Sequence, residues 1–184
     1  WNERCANGSL KLLVMYDPSG CEPSRACSLI RRDWSLLASK LYGPGGGGRQ
    51  EMSRQGLLQP ALILWGLGLK DRPLHPADAR ALIHDLQTGD QALPPTTVWG
   101  GVPTFWRTLR GDSRADYASV YEAFDLLFPW SVGRFWNERT LTLWLDEIEQ
   151  DLALCASRNQ GYLPCLFPGF SWRNLVVNRG GARL

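Results

Sequence analysis

Histidine and methionine are scarce in this 184-residue chain, with two of each. His75 falls in a loop and His84 on the helix that follows; Asp78 alone beside His75 is too little for a metal site. Cysteine is sparse and odd in number: Cys5, Cys21, Cys27, Cys155 and Cys165 contain no C-x-x-C spacing, which argues against zinc. No G-x-S-x-G elbow is present, and Ser171 in "GFSWR" lacks the second glycine, so it reads as a hydrogen-bonding loop residue rather than a nucleophile. No apolar run approaches the roughly 18 residues that span a bilayer, so no membrane span is expected. Twenty Lys and Arg against 18 Asp and Glu leave a net charge of +2 without a basic block, which gives nucleic acid binding no support. Neither a cofactor nor a metal is expected.

Tryptophan is abundant by contrast, with nine residues, more than packing a core of this size requires. The length suits one domain spanning residues 1–184. Beginning at Trp1, the chain reads as part of a longer product. Cys155 and Cys165 lie on apolar patterns and read as small core residues. Cys21 and Cys27 flank Pro23, and spacing alone leaves them either free or paired in an oxidising compartment.

Five short apolar runs read as strands: Lys11 to Tyr16, Pro60 to Trp65, Thr96 to Gly100, Leu126 to Phe128 and Tyr162 to Phe167. Four apolar stripes at helical spacing alternate with them. They are Ile30, Trp34, Leu37, Ala38 and Leu41; Ala79, Leu82, Ile83 and Leu86 behind Pro76; Tyr117, Val120, Tyr121 and Phe124; and Leu141, Leu145, Ile148, Leu152 and Cys155. Alternation of this kind implies a parallel sheet with helical crossovers. A dinucleotide-binding sheet would need G-x-G-x-x-G after a strand, and no strand is followed by it. The strand period of about 30 residues is that of a (β/α)8 TIM barrel. The chain therefore reads as a partial barrel of about five βα units, a fragment, with an open five-stranded α/β sheet as the alternative. The tract "YGPGGGGRQEMSRQG" lengthens the first interval and reads as a flexible insertion near 43–56, since no Gly-Lys-Ser/Thr follows it.

In a barrel the chemistry gathers on the loops after the C-terminal ends of the strands. Here these read "YDPSG", "WGLGLKDR", "GGVPTFWR", "PWSVGRF" and "PGFSWRNL". Every one carries an aromatic residue, and four carry Arg. Aromatic faces beside Arg, Asn, Asp and Ser suit a polyhydroxylated ligand, whose C–H face packs on a ring while its hydroxyls take fixed donors and acceptors. The competing reading is that the tryptophans cap the end of the sheet and pack on one another. No acid pair for glycoside hydrolysis stands out. Asp17 precedes Pro18-Ser19-Gly20 and serves a turn as readily as a ligand. Asp71 and Asp112 read as solvated loop charges, and Asp33, Asp146, Glu147 and Asp151 as surface residues of helices.

Taken in order, "MYDPSG", "DWSLL", "LILWGLGLKDRP", "GGVPTFWR", "YEAFDLLFPWSVGRF" and "YLPCLFPGFSWRNL" resemble the xylosidase/arabinosidase-type glycoside hydrolases, relatives of the endo-α-mannosidase group, glycoside hydrolase family 99, and more distantly of family 71. The resemblance implies a (β/α)8 barrel acting on glycosidic bonds of neutral-sugar oligosaccharides or polysaccharides. It carries substrate-lining roles onto Tyr16 and Asp17, Trp65, Trp106 and Arg107, Trp130 and Arg134, and Phe170, Ser171, Trp172 and Asn174. It also implies that the strand bearing the clustered catalytic acids lies beyond Leu184. On that expectation this segment supplies the aromatic sugar-binding loops of a parent hydrolase; the alternative is a non-catalytic carbohydrate-binding or degenerate module.

Overall fold

The computed structural model describes residues 14–42, 60–72, 74–91 and 94–165. Strands β1 (Val14–Tyr16), β2 (Ala61–Trp65), β3 (Thr97–Val102), β4 (Leu126–Pro129) and β5 (Gly161–Tyr162) form one sheet. Each pairs in parallel with the next, in the order β1-β2-β3-β4-β5. Helices α1 (Pro23–Tyr42), α2 (Pro76–Thr88), α3 (Ala118–Tyr121) and α4 (Glu138–Ser157) lie in the connections. The strand order never reverses, so the described strands have no switch-point crevice of the kind a doubly wound sheet uses for dinucleotides.

Local sequence explains where the helices start. Pro23 and Pro76 occupy first turns, where a missing N–H costs nothing. His75 caps α2, its Nδ1 accepting from the Ala77 N–H at 3.2 Å. Asn137 and Thr140 form a reciprocal capping box at the start of α4.

Strand alternation divides the sheet into two faces. One row of register partners is Tyr16, Leu64, Gly100, Leu127 and Tyr162, and it faces the helices. Leu62, Leu64, Val98 and Leu127 are fully buried there against Ile30, Trp34, Leu82, Ile83, Leu86, Tyr121 and Cys155, in one cluster drawn from all four helices. Burying each such Leu contributes about 1.5–3 kcal/mol relative to exposure. The next row, Met15, Ile63, Trp99, Leu126 and Gly161, looks the other way, and Met15 is 58% exposed.

Several expectations are revised by this arrangement. Strand β3 runs two residues past its expected end at Gly100, taking in Gly101 and Val102 from the loop. A Cβ at Gly100 would stand 2.6 Å from the Phe124 ring, and one at Gly101 would run into Trp65, so the pair admits an aromatic ring across each face of the strand. Strand β5 stops at Tyr162, short of the expected end. Cys165 is half-buried outside the strand and not in the core, whereas Cys155 is buried as expected. Cys21 and Cys27 are half-buried and unpaired.

Helix α4 is rotated relative to its expected stripe. Trp144, Ile148, Asp151 and Cys155 are its buried residues, while Leu145 and Leu152 stand in solvent. The glycine tract at 43–56 lies outside the described residues.

Candidate functional site

The residues expected to line a ligand divide between the two faces of the sheet. Tyr16 turns toward the helices and donates its hydroxyl to Asp33 Oδ2 at 2.9 Å. Burial, together with that hydrogen bond, pushes the Tyr16 phenol up to about 12. Tyr162, in the same row on the opposite edge strand, donates to Asp151 Oδ2 at 3.1 Å. Each edge of the sheet is thus tied through one tyrosine to one helical aspartate.

Trp106 and Arg107 join the second of these ties. Trp106 is 2% exposed, and its indole donates to Asp151 Oδ2 at 3.0 Å; Arg107 Nε donates to Oδ1 at 2.7 Å and its Nη2 to Glu147 Oε2 at 2.6 Å. Asp151 is itself 2% exposed, which corrects the expectation of a surface residue. Burial raises its pKa against the pull of Arg107 and Trp106. With the indole buried and the guanidinium shared between two carboxylates, Trp106 and Arg107 fasten the loop after β3 onto α4.

Trp65, Trp130, Asp17 and Arg134 gather at the other side, beyond the C-terminal ends of the strands. Trp65 lies across Gly101, 5.9 Å from Phe128 and 4.8 Å from Trp130 between ring centroids, the latter pair edge to face. Trp130 keeps 39% of its surface exposed. Arg134 Nε donates to Thr104 Oγ1 at 2.7 Å, and its Nη2 meets Asp112 at 3.0 Å. Thr104 in turn donates to the Trp130 carbonyl, so the loops after β3 and β4 are joined through one arginine.

Asp17 plays the turn role that its sequence allowed. Its Oδ1 accepts from the Ser19 N–H at 2.9 Å and caps a short 3-10 turn, Pro18–Gly20. The same oxygen lies 3.9 Å from Arg72 Nη2. Arg72 covers Gly66, directly after Trp65, and its buried Nε has no hydrogen-bond partner among the described residues. Arg72, Phe128 and Thr104 were not among the expected site residues, although Arg72 closes the quoted loop "WGLGLKDR". The loops after β2 and β3 are zipped together by Lys70 N to Asp112 O and Arg114 N to Gly68 O, each 2.9 Å, which steadies the arginines. Asp71 and Asp112 are exposed as expected, with Asp112 paired to Arg134 rather than to Arg110.

Phe170, Ser171, Trp172 and Asn174 lie outside the described residues. Among the described residues no cluster of three His, Cys, Asp or Glu could hold a metal, and no helix is long and apolar enough to cross a membrane. Among the described residues the strand-end carboxylates each lie beside an arginine, Asp17 and Asp71 by Arg72 and Asp112 by Arg134. What the site offers is aromatic surface flanked by fixed charges. Searches against protein-family models, curated proteins and solved structures found no match to the chain.

Proposed function

We propose that the chain is the sugar-binding part of a carbohydrate-active protein, a portion of a (β/α)8 barrel whose parent hydrolyses glycosidic bonds in neutral-sugar glycans. The observation that carries this reading is the Trp65, Phe128 and Trp130 cluster at the C-terminal ends of adjacent parallel strands, flanked by Asp17, Arg72 and Arg134. Exposed indole beside held guanidinium and carboxylate groups matches a sugar's apolar face and its hydroxyl rim. Unreversed strand order with every helix on one face is the arrangement a barrel repeats until it closes. The resemblance to the xylosidase/arabinosidase-type hydrolases adds the reaction class, with the acid pair assigned to chain outside the described residues.

A second reading, a non-catalytic binding or degenerate module, is favoured by one observation: Asp17, Asp71 and Asp112, the carboxylates of the described strand-end loops, each lie beside an arginine. One experiment separates the two. The parent protein, carrying the chain beyond Leu184, is immobilised and exposed to a panel of neutral glycans and, in parallel, to aryl xylosides, arabinosides and mannosides. Retention with release of the aryl group supports the hydrolase, and retention alone supports the binding module. Absence of retention on the whole panel contradicts both.

A further inference from the structure

The loops after β3 and β4 and helix α4 line an open groove of about 580 Å³, with Arg134 on its wall. This lies within the roughly 300–1,000 Å³ typical of small-molecule sites. Phe105 forms part of its wall, with the Arg134 and Arg110 guanidinium groups 5.1 and 5.8 Å from the ring centroid. Trp136 lines the groove with 75% of its surface in solvent, which leaves an indole face accessible there. Trp144 lines the same groove, is 3% exposed, and carries a buried indole N–H with no acceptor among the described residues. The nitrogen itself is closed off from solvent, so Trp144 serves the groove as wall and its indole reports on the groove's occupancy. Asp146 and Gln150 add an acceptor and an amide along the helix side.

The charges identify the ligand class. Arg110 and Arg134 oppose Asp146 and Glu147 in the lining, two of each sign, so neither a phosphate nor a cationic peptide is favoured. Glu147 is already paired with Arg107, and Arg134 with Asp112. An aromatic wall, an exposed indole and planar polar groups remain, which together fit a neutral sugar ring better than a flat hydrophobe or an ion.

We infer that this groove is an outer saccharide subsite, receiving a sugar unit of a glycan whose neighbouring unit rests on the Trp65 and Trp130 cluster. The inference rests on the reading of that cluster as a sugar site. Arg134 bridges the two, since it lines the groove and also holds Thr104, which is bonded to the Trp130 carbonyl.

The test is isothermal titration with xylo-oligosaccharides and α-manno-oligosaccharides of increasing length, on wild type, Trp136→Ala, Asp146→Asn and Trp130→Ala. Trp136 and Asp146 are exposed, so their replacement leaves the fold intact. The expected result is that Trp136→Ala weakens binding of the longer members about tenfold, Asp146→Asn by less, and neither changes the shortest binder. Trp130→Ala weakens the whole series. The Trp144 indole N–H resonance should move with the longer members only. If Trp136→Ala and Asp146→Asn change nothing at any length while Trp130→Ala still abolishes binding, the outer subsite is wrong and the strand-end reading stands. If no member of either series binds wild-type protein, both fall.

Discussion

The two faces of the sheet are built from the same short strands yet do different work. On the helix side, Leu62, Leu64, Val98 and Leu127 are aliphatic and fully buried, and the polar groups that enter are matched: Tyr16 to Asp33, and Tyr162, Trp106 and Arg107 to Asp151. On the other side Met15, Trp65, Trp99, Phe128 and Trp130 keep part of their surface accessible, and Arg72 retains a buried N–H without a partner. Completed hydrogen bonding marks the face that stabilises the fold. The other face keeps aromatic surface accessible, and it is the face on which the proposed sugar site rests.

The largest effect should come from the helix side. Asp151→Ala leaves the Trp106 indole and the Tyr162 hydroxyl without their acceptor and Arg107 with Glu147 alone, a cost of about 1–3 kcal/mol for each donor left unpaired; urea denaturation should show it as a large fall in midpoint. A loss below about 1 kcal/mol would mean that the helix face is less committed to stability than the contrast requires. Leu64→Ala, fully buried in the same layer, should cost about 2–5 kcal/mol in the same measurement.

Alkaline titration sharpens the contrast at the level of protons. Burial raises all five tyrosines, with Tyr16 and Tyr117 each pushed up to about 12 from 10.0. A phenol whose folded pKa is raised contributes stability that is complete below the unfolded value near 10 and is lost as pH climbs through the folded value. Tyrosinate absorbance should therefore lag behind free tyrosine, and thermal stability should fall as pH rises from about 10 toward 12. Ionisation at the ordinary value with the fold intact would contradict the burial of these rings. The smallest effect belongs to the open face. Trp130→Ala removes the edge-to-face contact with Trp65 from a side chain that is 39% exposed, and should cost less stability than the fully buried substitutions above.

Much of this fold was legible in the sequence, because hydrophobic period alone fixes which segments are strands and which are helices. The α2 stripe is the clearest case: Ala79, Leu82, Ile83 and Leu86 follow Pro76 and are all buried. Local pattern fails where burial depends on a distant partner. Asp151 lies on the line Trp144, Ile148, Asp151, Cys155, which is as regular a helical stripe as the one through Leu145 and Leu152. Choosing between the two requires knowing that Arg107, 44 residues away, and Trp106 can compensate a buried carboxylate.

The same limit governs the site. A strand-end loop shows which aromatics are nearby, but not which way each one turns. Trp106 and Trp130 look equivalent in sequence, and they end on opposite sides because one meets Asp151 and the other meets Trp65. Gly101 resembles a loop residue until the Trp65 ring that needs its space is placed.

The most direct test of the central claim compares those two tryptophans. A neutral glycan retained by the wild-type protein is titrated into Trp130→Ala and Trp106→Phe, each first shown to be folded by its urea transition. Binding lost in Trp130→Ala and preserved in Trp106→Phe is the predicted result. Unchanged binding in Trp130→Ala would contradict the assignment of the strand-end aromatic face as the sugar site.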